Sequence, residues 1–347
     1  MSTRVLSVAE AAKEATAQLL ESSKEYIVIG EGVPDPKACF GTTKGLLEEF
    51  PDQVFDMPIS ENGGVGFCIG ASLNGLKPIM IHMRQDFLMY AMDQIVNNAA
   101  KWHSMFGGQK SVPIVIKAFT GRGWGAGHQH SQNFESIFAH IPGLKVVVPS
   151  SPKNAKGLLI AAARDPNPVI ILEHRWIHNI LGSVQEEIYE TPIGLAEVIQ
   201  EGHDITIVSW GHSLLEARKA CAFLSTYNIS AELIDLLSLR PLDMETISKS
   251  VMKTKRILIV NDSWGFGGIS SEIIANLPCP FEHVSVLNYP FYPSSSPYIT
   301  KDYYPNSLGI IKAVLSFLNI YIDLFGEEMK HKEAKHDVPD SSFIGPF

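Results

Sequence analysis

Uninterrupted apolar runs alternate with amphipathic stretches along this chain. The runs at 26–30, 78–82, 112–117, 145–149 and 168–172 lack polar alternation, the mark of strands buried on both faces. Helical spacing predicts helices over 7–22, 62–74, 88–104, 132–139 and 152–164, the first opened by Ser7 with Glu10 three positions on, as in a capping box. The less regular stretch 179–202 carries the chain into a second series: a strand at 204–211, a helix over 213–226, a strand at 231–235, a helix near 243–251, a strand at 256–260 and a closing helix over 306–325. This order predicts an α/β fold of two domains, each a mostly parallel sheet covered by helices. The boundaries expected are 1–185, a linker 186–200, a second domain 201–325 and a charged tail 326–347. Phe343 and Phe347 in that tail either dock on a partner or belong to a frayed end.

Composition narrows the classes. Of 347 residues, 45% are hydrophobic and 19% charged, enough apolar material for two cores. A net charge of −9 supplies no general basic surface for nucleic acid. Cys39, Cys68, Cys221 and Cys279 form no CxxC pair, so neither a zinc site nor a disulfide framework is indicated, and a reducing cytoplasm is the expected compartment. The N-terminus reads as the approach to an amphipathic helix rather than a signal sequence, and no apolar run is long enough to span a bilayer.

Chemistry concentrates at strand ends. In Phe55-Asp56-Met57-Pro58-Ile59-Ser60-Glu61-Asn62-Gly63-Gly64-Val65-Gly66, the apolar residues predict a strand running into a buried turn. A carboxylate at a helix start suits the helix dipole, but within an apolar run it needs a partner, so Glu61 is a candidate for pairing with a ligand nitrogen. After the run at 78–82 comes Met83-Arg84-Gln85-Asp86-Phe87-Leu88-Met89-Tyr90. Phe87 and Tyr90, one turn apart, either face a flat heterocycle or fill the core. The glycine-rich loop 121–132 carries Trp124, His128 and His130. No nearby carboxylate or thiol completes a metal set around His128-x-His130. An acid/base or substrate-contact role for His130 stands beside the plainer one of capping a helix. Gly265-Phe266-Gly267-Gly268 is either an anion-binding helix start or a close turn. His174, Arg175, Trp176 and His178 are substrate contacts or a solvated basic turn.

With these segments in view, the chain resembles the beta subunits of thiamine-diphosphate-dependent 2-oxoacid dehydrogenases of the pyruvate, acetoin and branched-chain type. The likeness runs from about residue 25 to 275. It is carried by Asp56-Met57-Pro58-Ile59-Ser60-Glu61-Asn62-Gly63, Ala91-Met92-Asp93-Gln94-Ile95-Val96-Asn97-Asn98-Ala99-Ala100-Lys101, His130-Ser131-Gln132 and Pro142-Gly143-Leu144-Lys145-Val146-Val147-Val148-Pro149-Ser150. Arg164-Asp165-Pro166-Asn167-Pro168-Val169 adds to it. The resemblance implies a transketolase-like pyrimidine-binding domain followed by a transketolase C-terminal domain. It implies that Glu61 bonds a nitrogen of the cofactor's aminopyrimidine, that Phe87 stacks on that ring with Tyr90 nearby, and that Glu31 is a second acid at the site. His130 then faces the substrate channel, with Arg84, Trp124 and His128 along it. Ile114, Ala162, Ala163, Asp165 and Asn167 lie where relatives bind a monovalent cation such as K+, largely through backbone oxygens.

The same resemblance implies what this chain does not carry. The family's GDG…NN motif for the diphosphate and its Mg2+ belongs to an alpha subunit, and there is no GDG here. The chain therefore reads as half an active site, completed by an alpha-type chain in an α2β2 assembly, with a lipoyl acyltransferase as a further partner. Arg84, Trp124, His128 and the 174–176 cluster make the expected channel more basic and bulkier than suits pyruvate. One alternative is thus the C-terminal half of a split transketolase-like enzyme passing a ketol or acyl unit to a sugar-type acceptor. Another is a non-catalytic scaffold, which the presence of Glu61 and Phe87 opposes.

Overall fold

Ser7 and Glu10 form the reciprocal cap that their spacing predicts: the Glu10 N–H donates to Ser7 Oγ, and the Ser7 N–H donates to Glu10 Oε2 at 2.8 Å. The helix Val8–Ser22 that they open buries Val8, Ala11, Ala12, Ala15, Leu19 and Leu20 and packs on the helix Pro152–Arg164. The structure, a computed structural model, describes residues 3–35, 38–122, 126–277, 283–289 and 304–334. Trp124, Cys279 and the tail phenylalanines Phe343 and Phe347 lie outside these residues.

The strands, in chain order, are β1 (Thr3–Ser7), β2 (Tyr26–Gly30), β3 (Val54–Asp56), β4 (Lys77–His82), β5 (Val115–Thr120), β6 (Lys145–Val147), β7 (Val169–His174), β8 (Leu181–Gln185), β9 (Glu197–Gln200), β10 (Ile205–Ser209), β11 (Ala231–Asp235), β12 (Ser238–Arg240), β13 (Arg256–Trp264) and β14 (His283–Tyr289). One sheet runs β12-β6-β7-β5-β4-β2-β3, and its pairs from β6 to β3 are all parallel. β1 and β8 form a separate antiparallel ribbon. The other sheet runs β14-β13-β10-β11-β9, parallel except for β9. Its core joins Ile207, Leu233 and Leu258 to the helices Ser213–Ser225 and Ser307–Leu318. Helices pack against strands of both sheets, as Glu61–Leu73 does on β4 and Ser213–Ser225 on β10 and β11.

The chain divides into two compact units, and they interleave. The first comprises 1–120, 137–193 and 239–241; the second comprises 121–136, 194–238 and 242–347. The segment 121–136 groups with the second unit although it lies between β5 and β6 of the first sheet in sequence.

Several elements differ from their sequence expectation for local reasons. The strand expected at 112–117 begins at Val115: Pro113 has no N–H, and the Ile114 N–H turns back to Val112 O at 2.9 Å. The helix expected over 88–104 is broken into Gln85–Leu88, a 3₁₀ turn Met89–Ala91, a π-helical stretch Asp93–Ala99 and Trp102–Met105. Asn97 and Asn98 bond back to Asp93 and Gln94 along that widened stretch. The helix expected at 132–139 starts at Glu135, whose N–H donates to Asn133 Oδ1 at 3.1 Å. The closing helix stops at Leu318, where Asn319 turns left-handed at φ 52°. The turn 55–60 is not buried in the chain as expected: Val54 is covered, but Phe55 and Ile59 are 41% and 84% exposed.

Candidate functional site

Parallel pairing sends the carboxyl ends of β7, β5, β4, β2 and β3 to one edge of the first sheet, the edge where open α/β sheets bind ligands. Beside β2 and β4 that edge opens into a cleft of about 920 Å³. Its walls come from the turn after β2 (Glu31, Gly32, Asp35), the 57–62 segment with Glu61, and the segment after β4 (Met83, Phe87, Tyr90). The sequence-predicted Glu31, Glu61, Phe87 and Tyr90 therefore line one cavity within one unit.

Local structure holds each of them. Glu61 is the first residue of the helix Glu61–Leu73, where the dipole favours a carboxylate, and it is 9% exposed. Gly30 lets β2 lie against β4, since a Cβ there would come within 2.2 Å of Ile81 O. That close approach sets Glu31 at the strand end. Asp56 Oδ1 accepts the Gly32 N–H at 3.0 Å and fixes the turn. Burial, with Glu61 and then Asp56 nearby, raises the Glu31 carboxyl above its ordinary range, although the Ser60 N–H opposes the shift. Glu31 Oε1 is buried and finds no partner among the described residues. Phe87 is half-buried, whereas Tyr90 is 72% exposed and presents its ring at the mouth. A cleft with clustered carboxyls, an orphaned acceptor and a flat aromatic wall suits an electron-poor ring bearing N–H donors.

Arg84 stands apart from the cleft lining. Its Nε pairs with Asp86 Oδ2 at 3.3 Å. Arg175 lies 4.1 Å above the Phe40 ring, and burial, followed by repulsion from Arg84, pushes its guanidinium down to about 10. His174, Arg175, Trp176 and His178 are all buried, so the solvated basic turn is not what forms. His128 and His130 occupy a single 3₁₀ turn of the second unit, His128 exposed and His130 half-buried. The glycines at 265–268 make a close turn: a Cβ on Gly268 would come within 2.5 Å of Trp264 O. In the set expected to hold a monovalent cation, Ile114 O accepts the Val169 N–H, Ala162 O accepts the Asp165 N–H, and Asp165 is paired with Lys145. Ala163 is buried beside them in the chain, and the Asn167 N–H donates to Asp165 Oδ1.

Two buried clusters were missed by sequence reasoning. Lys117 Nζ lies 3.1 Å from Glu173 Oε2, and His178 Nε2 lies 3.3 Å from the same oxygen, all within the first unit. Burial lowers the His178 pKa; it pushes the other way on Glu173, where Lys117 and His178 prevail and hold the carboxyl low. The signal available was a lysine inside an apolar strand. The second cluster joins Asn133, Glu135, Trp210 and Asp262 in the second unit. Nothing in local spacing links Asn133 and Glu135 to Trp210 or Asp262.

Residues 4–178 match the family model "Transketolase, pyrimidine binding domain", and residues 194–310 match "Transketolase, C-terminal domain". The chain is 41% identical over 271 residues to a pyruvate dehydrogenase E1 component subunit beta from Rickettsia bellii, covering 78% of this chain and 83% of that one. It is 36% identical to the acetoin:2,6-dichlorophenolindophenol oxidoreductase subunit beta of Bacillus subtilis, covering 91% and 98%. A solved split gene transketolase, described as an inactive beta4 tetramer, shares the fold with a TM-score of 0.75 at 22% identity, covering 91% of this chain and 99% of that one.

Proposed function

The chain belongs to the transketolase-like family of pyruvate and acetoin dehydrogenase E1 beta subunits, and we propose that it is the beta-type half of a thiamine diphosphate enzyme that cleaves a 2-oxoacid. The observation that carries this reading is the convergence of Glu31, Glu61 and Phe87 on one cleft, with the buried Glu31 Oε1 lacking a donor among the described residues. The residues present fit an aminopyrimidine. Glu61 would accept an N–H of the ring, Glu31 Oε1 would take a second donor, and Phe87 would cover the ring face. Thiamine diphosphate, when bound, supplies the electron sink for breaking the bond beside a 2-oxoacid carbonyl. His130 is the group proposed to exchange a proton with the substrate. His128 and Trp124 would line its approach.

An alpha-type chain in an α2β2 assembly is the proposed source of the diphosphate and Mg2+ ligands, since this chain has no GDG. The Ile114, Ala162, Ala163, Asp165 and Asn167 backbone is the proposed seat of K+. A lipoyl acyltransferase would receive the acyl unit. The buried thiols of Cys39, Cys68 and Cys221, pushed up to about 11, 12 and 12 by burial, suit a reducing cytoplasm; no helix among the described residues is long and apolar enough to cross a membrane.

The adjacency of Arg84 and Arg175 favours a second reading, ketol or acyl transfer to a sugar-type or phosphorylated acceptor, because guanidinium groups suit anionic oxygens. Turnover distinguishes the two. The chain, co-expressed with an alpha-type partner carrying GDG…NN, is expected to consume a 2-oxoacid and pass its acyl unit to lipoamide. Glu61→Ala is expected to lower that rate by about 10²–10⁴-fold. Undiminished turnover in Glu61→Ala removes the mechanism; activity only with a ketose donor selects the second reading.

A further inference from the structure

The segment 121–136 is held at both ends by its own unit. At its start, the buried Arg122 guanidinium lies 3.3 Å above the Tyr304 ring. At its end, Asn133 and Glu135 are buried among groups from the carboxyl ends of β10 and β13. Asn133 Nδ2 donates to Asp262 O at 2.9 Å and to Glu135 Oε2 at 3.2 Å, while Trp210 Nε1 donates to that same Glu135 oxygen at 3.0 Å. Phe134 meets Trp264 edge to face at 5.7 Å. Between these fixed points lies the turn bearing His128 and His130. β5 before the segment and Ile137 after it group with the first unit, so its ties run to elements distant in sequence.

We propose that Glu135 is the positioning residue of the histidine loop, a buried carboxyl clamp through which the transketolase C-terminal domain sets the conformation of His130. The side chains of Asn133, Trp210 and Ser263 donate to it; the charged group facing it is Asp262, which pairs with His212 at 3.3 Å and accepts Ser213 Oγ at 2.7 Å. Burial holds the Glu135 carboxyl up at about 7 against an ordinary 4.5. A raised carboxyl favours the closed, neutral form at low pH. The clamp is therefore tightest below about 4.5 and loosens as pH rises through about 7.

The clamp stands on the geometry of the second unit alone; only its consequence for turnover rests on the role proposed for His130. Hydrogen exchange of the full-length chain tests it without that role. Corrected for intrinsic rates, exchange across 126–136 is expected to rise at least tenfold in Glu135→Ala while peptides from β11 and the helix Ser213–Ser225 stay unchanged. Glu135→Gln, which keeps an acceptor for Trp210, is expected to restore most of the protection. Wild-type opening is expected to grow roughly tenfold per pH unit as pH climbs towards about 7, and Glu135→Gln is expected to lack that dependence. Unchanged exchange at 126–136 in Glu135→Ala, uniform loss of protection through the second unit in Glu135→Gln, or a wild-type profile as flat as that of Glu135→Gln each overturns the assignment.

Discussion

His82 sits at the carboxyl end of β4, 1% exposed, with both ring nitrogens buried and without a partner among the described residues. Burial pushes its pKa down to about 4 from 6.5. A histidine so depressed binds fewer protons folded than unfolded between those values. Its share of stability is therefore whole above about 6.5 and is lost as pH falls towards about 4, on the order of 3 kcal/mol in all. His82→Leu removes both the orphaned nitrogens and this acid sensitivity. The variant is expected to be more stable by about 1–3 kcal/mol at pH 7 and by a wider margin at pH 5, as urea unfolding at the two pH values would measure. In the sequence His82 is only the last residue of an apolar run; that no donor or acceptor among the described residues comes within reach is decided by packing. Glu61 and Phe87 were more legible, because a carboxylate within an apolar, glycine-rich stretch and an aromatic after a strand are unusual where they stand. Tyr90 shows the limit: its spacing from Phe87 was readable, its exposure was not.

At the scale of elements, the sequence locates strands well wherever apolar runs end in turn residues; β2 and β11 have the bounds expected of them. It does poorly where side chains redirect the backbone. The region 88–104 carries helical periodicity, yet the ladder widens at Asp93–Ala99, and only the fold shows that this irregular stretch packs beside the Glu61 helix. Gly30 is the position on which the cleft's geometry most depends. Adding one methyl group there drives Cβ into Ile81 O of β4, a backbone atom that cannot swing aside. Gly30→Ala is expected to cost about 1–3 kcal/mol, or somewhat more, as β2 shifts. Because Glu31 is the next residue, cofactor affinity in the assembled enzyme is expected to fall as well; thermal denaturation and cofactor titration would read the two effects separately.

Across the whole molecule, the first unit gathers carboxyls and an aromatic side chain around one cleft, and the sequence contains no GDG. The proposed assembly follows from that division. Calorimetric titration of thiamine diphosphate with Mg2+ into this chain alone is expected to be at least tenfold weaker, about 1.4 kcal/mol, than titration into the chain with its alpha-type partner. Equal affinities would mean that this chain holds the diphosphate itself. The sequence by itself determined the α/β class, the family, the alternation of the main strands and helices, and the four cleft residues Glu31, Glu61, Phe87 and Tyr90, because hydrophobic period and motif spacing are local properties written consecutively along the chain. Only the tertiary structure decided that 121–136 groups with the second unit, that Glu135 is buried under Trp210 beside Asn133, and that Lys117, Glu173 and His178 share one interior site. The pairings of Glu135 with Trp210 and of Lys117 with Glu173 join residues tens of positions apart through burial, hydrogen bonding and ion pairing, and no local period records which distant group will be there to satisfy a buried charge.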